Sequence, residues 1–282
     1  MKDGEFRRKR PGEISLLTYN IVGGMGLPTL LEELPTLPEK PDIICFQEYP
    51  EGGKARELLE NYFEADYKSK PNFSFFLADR RLGVCTLYKK GLFRLLENKV
   101  IEVPPSKLGL IERGALLSAA TDPETWVDCV LLTRLEIDRK VINVVNVHLP
   151  WEGFGRRKKE QIAAVIGQLP VESLTQPTLI GGDFNLREGS RNYPAFLSQL
   201  TASGFDQLTH GVAKTYNPFS PLSFPEDRIR LIPRLLAFLI FFKLFRPLKI
   251  DYIFSRNVKS RFTASPPFDG SDHYPLLTYL EI

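Results

Sequence analysis

Six short stretches of this chain set a polar side chain at or near the end of an apolar run. They are Thr-Tyr-Asn with Asn20, Phe-Gln-Glu with Glu48, Asn-Val-His-Leu with His148, Gly-Asp-Phe-Asn with Asp183 and Asn185, Ile-Asp-Tyr-Ile-Phe with Asp251, and Ser-Asp-His with Asp272 and His273. A polar group inside an apolar run costs free energy unless it finds a partner. Strand ends are also where a rigid sheet can hold several side chains convergently. Taken singly, each has an ordinary explanation. Asn20 and Asn185 can cap turns, Glu48 can face solvent, His148 can bond a core carbonyl, and Asp183 can form an Asx turn after Gly181 and Gly182. Only three histidines occur, however, and two of them fall inside these stretches; His210 has no acidic neighbour and reads as a loop residue. Acids and amides are oxygen ligands of the kind Mg²⁺ prefers, and a histidine is the side chain suited to proton transfer near neutral pH. The cysteines, Cys45, Cys85 and Cys129, are too scattered for a zinc cluster.

The elements that must position these residues form a mixture of short β-rich runs and a few helices. Period and composition predict strands at 14–19, 43–47, 84–88, 127–136, 141–148, 178–182, 250–255 and 276–281. Helices are predicted at 29–34, 54–61, 156–169 and 193–203, the third with Ile162, Val165, Ile166 and Leu169 at helical spacing. Several strands are continuous apolar runs, as expected where both faces of a sheet are covered. With no repeat or low-complexity linker in view, residues 13–282 read as one domain behind a basic tail at 1–12. That tail has no apolar stretch and does not resemble a secretory signal. Its Arg7, Arg8, Lys9 and Arg10 read as solvated.

Composition excludes several classes. With 43% hydrophobic and 25% charged residues in 282, wholesale disorder is ruled out. Lys plus Arg exceed Asp plus Glu by 37 to 34, too slight a balance to argue for a nucleic-acid partner by itself. Three unpaired cysteines in apolar runs predict reduced, buried thiols and a cytoplasmic setting.

The ordered set of an asparagine, a glutamate, a histidine, Gly-Asp-Phe-Asn, an aspartate and a C-terminal Ser-Asp-His resembles the endonuclease/exonuclease/phosphatase superfamily, whose fold is deoxyribonuclease I-like. The resemblance runs from Ile14 to Ile282, with 81–91 similar to the family's glycine-led strand and 112–116 to its arginine-glycine strand entry. It implies an α/β (α+β) four-layer sandwich, two stacked mixed β-sheets flanked by helices, with the site at one end. It also implies a metal-dependent hydrolase of phosphate esters. A phosphodiester anion repels nucleophiles, so a cation must neutralise the phosphoryl oxygens and the leaving group. Mg²⁺, for which Mn²⁺ can substitute, needs one or two carboxylates; Glu48 is the first choice, supported by Asn20 and Asp272. By resemblance His273 is the base, Asp251 holds its ring, Asp183 positions the attacking water and Asn185 donates to a phosphoryl oxygen. His148 donates to the phosphate or helps to protonate the leaving oxygen.

The substrate is read from one unusual segment at about 228–249, just before the strand that carries Asp251. Its uncharged core, Leu235 to Phe242, is eight residues long, against roughly 20 for a membrane span. Leu235, Phe238, Phe241, Phe242 and Phe245, edged by Arg234, Lys243 and Arg246, have the composition of an interfacial anchor. The reading therefore leans toward a phosphodiester lipid presented at a membrane surface, in the manner of the family's sphingomyelinase branch. The alternatives are a DNA or RNA nuclease or DNA-end-processing phosphodiesterase, drawing on the basic run Arg156, Arg157, Lys158 and Lys159, and a soluble inositol or nucleotide phosphatase. The 228–249 segment has its own alternative, packing on the sandwich or forming a dimer contact. The intact acid, amide and histidine set counts against a non-catalytic binding module.

Overall fold

A computed structural model describes residues 8–77, 80–105, 129–149, 157–217, 220, 222 and 248–282. Leu235, Phe238, Phe241, Phe242, Phe245, Arg234, Lys243 and Arg246 lie outside the described residues. Twelve strands are described: β1 (Glu13–Asn20), β2 (Ile43–Pro50), β3 (Tyr67–Leu77), β4 (Arg80–Lys89), β5 (Arg94–Val100), β6 (Cys129–Ile137), β7 (Lys140–His148), β8 (Thr178–Asp183), β9 (Asp206–Gln207), β10 (Asp251–Arg256), β11 (Lys259–Ala264) and β12 (Leu276–Glu281). The described helices are α1 (Leu27–Glu33), α2 (Gly53–Phe63), α3 (Lys158–Gly167) and α4 (Tyr193–Ala202).

The strands form two six-stranded sheets, ordered β11-β12-β1-β2-β4-β3 and β5-β6-β7-β8-β10-β9. Both sheets are mixed, because β1 pairs parallel with β2 and β7 with β8 while the neighbouring ladders are antiparallel. Period-2 alternation sorts the side chains into layers. Ile14, Leu16, Ile43 and Cys45 of one sheet meet Ile142, Val144, Leu179 and Ile253 of the other in the central layer. The opposite faces bury Leu17, Tyr19, Ile44 and Phe46 against α1 and α2. They also bury Val145, Val147, Ile180, Tyr252 and Phe254 against α3 and α4. Each large apolar side chain so buried contributes about 1.5–3 kcal/mol. The helix–sheet–sheet–helix layering is the one expected.

The strands missed from the sequence, β3, β5, β9 and β11, share a physical reason. All four are the edge strands of the two described sheets; three of them carry residues such as Lys-Ser-Lys-Pro-Asn, Glu-Asn-Lys and Lys-Ser-Arg in place of an apolar run. Edge strands guard against aggregation with such charges, which erases the hydrophobic signal.

Two readings of basic residues need correction. Lys9 is not free in solvent: its ammonium lies 2.5 Å from Asp42, which is buried and also holds Lys89 at 2.9 Å. An interior carboxylate is costly without such partners, and the lysines, with Ser15, hold the Asp42 carboxyl below the usual range against the opposing effect of burial. In the 156–159 run, Lys158 is fully buried and Arg157 donates to the Pro105 carbonyl at 2.7 Å. Those two residues serve packing and do not form an open basic face. The three cysteines are free and buried, as predicted. Among the described residues no helix is long and apolar enough to cross a membrane.

Candidate active site

Register brings the polar strand ends together. In the second sheet His148, Asp183 and Asp251 form one row across β7, β8 and β10, since His148 is opposite Asp183 and Asp183 is opposite Asp251. Alternation places all three on the central-layer face, two residues beyond Asn146, Gly181 and Ile253 respectively. The end of β1 delivers Asn20 from the facing sheet. Its amide donates at 3.1 Å to Asp183 Oδ2 and at 3.1 Å to Glu48 Oε1, so one side chain links both sheets at the site.

Glu48 reaches that position through a bulge. Simple alternation along β2 would put Glu48 beside Ile44 and Phe46, facing the helices. The β2–β4 register instead shifts between Gln47 and Tyr49, and Glu48 takes φ +52°. The extra residue restores Tyr49 to the helix-facing core and turns Glu48 toward Asn20. The preceding residue anchors the bulge: Gln47 Nε2 donates to Asn146 Oδ1 of the opposite sheet at 2.7 Å and to Thr18 Oγ1 at 2.9 Å. Asn146 in turn donates to the carbonyls of Phe46 and Cys85 at 3.1 Å each.

Gly182 has φ +144°, and a Cβ there would lie 1.9 Å from the Val147 carbonyl oxygen. Only glycine admits that approach beside Asp183. Asp183 does form the Asx turn foreseen for it, with Oδ1 accepting the Asn185 N–H at 2.8 Å. The Asn185 amide, at φ +48°, donates to the Leu149 carbonyl at 2.9 Å and to Asp183 Oδ2 at 3.2 Å.

The C-terminal loop supplies Asp272 and His273. Asp251 accepts from His273 Nδ1 at 3.0 Å, and the other ring nitrogen, Nε2, faces Asp183 Oδ2 at 3.7 Å and Asp272 Oδ1 at 3.9 Å. His148 Nε2 completes the cluster, 3.8 Å from Asp183 and 3.9 Å from Glu48. All eight polar residues singled out from the sequence thus meet at one end of the sandwich.

The fields are strong because the cluster is buried. Burial first, then Asp272, pushes Glu48 up to about 7 against the opposing pull of Asn20 and His273. Burial and Asp251 likewise raise Asp183 to about 7. His148 is driven down to about 3 by burial, His273 and Lys158, and stays neutral. Burial also opposes charge on His273, but Asp251, Asp183 and Asp272 outweigh it and hold the imidazolium well above its ordinary range. Such an excess of buried carboxylate suits a divalent cation. The carboxylates of Glu48 and Asp272 match the oxygen preference of Mg²⁺ or Mn²⁺, whereas Asn20 turns its Nδ2 to Glu48 and Asp183 and accepts the Val22 N–H on Oδ1 at 3.1 Å, so in this structure it orients the acids. Asp183, Asp251 and His273 also place one donor atom each within 4.8 Å of one another. There the His273 ring is already engaged by Asp251, so the trio is a hydrogen-bonded dyad facing a third acid.

Three site residues escaped the sequence reading. Thr215 Oγ1 accepts the Asp251 N–H at 3.0 Å and the Thr215 carbonyl accepts the Tyr274 N–H at 2.7 Å, strapping both halves of the dyad. The Tyr216 ring packs edge-on against His273 at 4.9 Å. Ser271 donates to the Asn20 carbonyl at 2.7 Å and accepts the His273 N–H at 3.1 Å. A signal existed: Thr215-Tyr216-Asn217 repeats the Thr-Tyr-Asn of 18–20.

Solved structures share this architecture. D. rerio TDP2 in complex with a single-strand DNA product superposes with TM-score 0.61 at 13% identity, covering 96% of this chain and 99% of that one. The human Nocturnin catalytic domain with bound sulfate gives TM-score 0.63 at 16% identity, covering 96% and 94%. ANGEL2, a 2′,3′-cyclic phosphatase, gives 0.59 at 18% identity, covering 95% of each chain. At these identities the likeness is one of fold. No curated protein matches the chain by sequence. The model of the Endonuclease/Exonuclease/phosphatase family, by contrast, matches residues 17–273, which include every one of the converging polar residues. On that match the chain belongs to the endonuclease/exonuclease/phosphatase family of metal-dependent phosphoesterases.

Proposed function

We propose that this protein hydrolyses a phosphodiester by in-line attack of water, with Mg²⁺ as the cation. The observation that carries the reading is His273 held between Asp251 at 3.0 Å and Asp183 at 3.7 Å. Glu48 and Asp272 would hold the ion, with Asn20 orienting the Glu48 carboxylate through its Nδ2–H. When bound, it neutralises the phosphoryl charge and stabilises the leaving oxygen.

A cation beside Asp272 would oppose the positive charge that Asp251 and Asp183 hold on His273, which would bring the ring toward the range of a general base. Asp251 fixes the Nδ1–H tautomer, so Nε2 takes the proton of the water that Asp183 positions. The water oxygen adds to phosphorus, the bond from phosphorus to the leaving alcohol oxygen breaks, and that oxygen leaves as the alcohol with a proton taken from solvent, while His273 returns its proton to solvent. His148, neutral at working pH, donates a hydrogen bond to the phosphate and is a poor proton source. Asn185 turns its amide from Asp183 to a phosphoryl oxygen.

For the substrate we favour a phosphodiester lipid at a membrane surface, on the composition of 234–246. The test is a panel with Mg²⁺: bis-p-nitrophenyl phosphate, single- and double-stranded DNA, RNA, inositol phosphates and sphingomyelin vesicles. Hydrolysis of vesicles ahead of nucleic acid, abolished by chelator, is the expected outcome. Preferential hydrolysis of DNA or RNA would replace the lipid reading with the nuclease one. Full turnover in excess chelator would overturn the metal-assisted mechanism.

A further inference from the structure

Two β-bulges meet at Gly83 of β4. On one side the register with β2 shifts between Gln47 and Tyr49, so that Glu48 is the extra residue and Tyr49 pairs with Gly83. On the other side the register with β3 shifts between Phe73 and Phe75, and Phe73 pairs with the same glycine. A bulge bends its strand and sharpens the local twist. Here the bends of both flanking strands fall at one position of the strand between them.

That position admits only glycine. A Cβ at Gly83 would lie 1.8 Å from the Asn72 carbonyl oxygen and 2.7 Å from Phe73 Cα, both backbone atoms of β3. Its φ lies outside the left-handed region, so the demand is one of room and not of conformation. The side chains of Tyr49 and Phe73, its partners on either side, reach across β4 and stack with ring centroids 6.5 Å apart. The Arg56 guanidinium of α2 lies 5.0 Å from the first centroid and 5.4 Å from the second. Aromatic cover of this kind stands in for the side chain that a strand glycine lacks, and the guanidinium adds a cation–π clamp.

Both flanks of this junction lead to the site. Glu48 is the residue that the β2 bulge re-aims. The Asn72 carbonyl that crowds Gly83 also accepts the Cys129 thiol at 3.4 Å, and Cys129 is the ladder partner of His148. Glu48 and His148 stand 3.9 Å apart, one from each sheet. We propose that Gly83 is a positioning residue, the spacer that holds Glu48 opposite His148 and so sets the affinity of the site for its divalent ion. It acts through strand pairing and touches neither ion nor substrate. The assignment rests on Glu48 holding that ion, as read above.

Mn²⁺ binding in the absence of substrate, followed by loss of the free-ion EPR signal, tests this apart from turnover. Gly83→Ala should weaken binding by about 10–100-fold, the scale for disturbing the support of a metal ligand. Leu280→Ala is the control. Leu280 is buried in the central layer opposite Ile14, at the far end of β1 from Asn20. Its cavity should lower the melting temperature and leave Mn²⁺ affinity at the parental value. Arg56→Ala removes the clamp from the two rings and leaves the strands untouched, so it should weaken binding in the same direction by less. Far-UV circular dichroism checks folding, and Arg56→Ala carries the test if Gly83→Ala does not fold. Parental Mn²⁺ affinity in a folded Gly83→Ala protein would overturn the assignment. So would an equal loss in Leu280→Ala, which reduces the effect to general loosening, or, where Gly83→Ala does not fold, an unchanged affinity in Arg56→Ala. Those outcomes leave the metal-assisted hydrolase standing, whereas failure of the parent protein to bind Mn²⁺ would overturn both.

Discussion

Asp183 and Asp251 are direct cross-strand partners at the end of the β8–β10 ladder, and the two nitrogens of His273 face one each. Opposed like charges destabilise a sheet. Here they hold one imidazole between them, with Nδ1 on Asp251 and Nε2 facing Asp183, the geometry on which the proposed base rests.

His273→Ala should lower kcat by ~10²–10⁴-fold, the range for losing a general acid–base group. Asp251→Asn should give a related loss, and the double variant should lose less than the two combined because the pair acts as a unit. Steady-state kinetics on bis-p-nitrophenyl phosphate check this. Normal turnover by His273→Ala would remove His273 from the chemistry.

Glu48→Gln keeps the shape of the bulge and removes a charge. We expect the Mg²⁺ concentration for half-maximal activity to rise at least tenfold, with melting temperature equal to or above that of the ion-free parent. An unchanged Mg²⁺ titration would exclude Glu48 as a ligand.

Stability of the ion-free protein should fall as pH rises above about 6.5. Glu48 and Asp183 have folded values near 7, above their ordinary 4.5 and 3.8. The folded state therefore binds the extra protons, and stability is lost as pH rises through about 7. His273, raised above its ordinary 6.5, acts in the same direction. His148 has the opposite sign: its folded value near 3 makes stability fall as pH drops from 6.5 toward 3. Above its ordinary value it no longer contributes. Melting curves in EDTA between pH 6.5 and about 8 should show the decline, and Mg²⁺ should reverse it more at the higher pH. A melting temperature that climbs over this interval would contradict the assignment.

Gly182→Ala should destabilise by at least roughly 1–3 kcal/mol, because the added Cβ meets the Val147 carbonyl oxygen at 1.9 Å and cannot take φ +144° without strain. Urea unfolding measures it, and a neutral result would mean that β7 and β8 can separate without cost.

Replacing Phe238, Phe241 and Phe242 by Ser should abolish sedimentation with anionic vesicles. Each large apolar side chain inserted contributes about 1.5–3 kcal/mol. Cleavage of a soluble diester should survive. Unfolding of the triple variant would place these residues in the core, and undiminished vesicle binding would remove them from any membrane contact.

Much of the site was legible in the sequence because each of its residues interrupts an apolar run at a strand end, where a buried polar side chain needs a reason. The layering was legible too: Ile14 and Leu16 against Leu17 and Tyr19 alternate as a strand covered on both faces must. What only the tertiary structure decided is where those ends point. Alternation alone turns Glu48 toward the helices. The bulge that redirects it depends on the pairing of β2 with β4 and on Gln47 reaching Asn146, 99 residues away. The link from Asn20 to Asp183 spans 163 residues and joins two sheets that no local pattern can register against each other. The strap of Thr215 and Tyr216 on the dyad was hidden for the same reason, since it makes isolated bridges with Leu248 and His273 instead of belonging to a periodic strand. Residue type and period are local properties of a chain. Convergence of carboxylates on one imidazole is set by sheet register and stacking, which exist only once the core has formed.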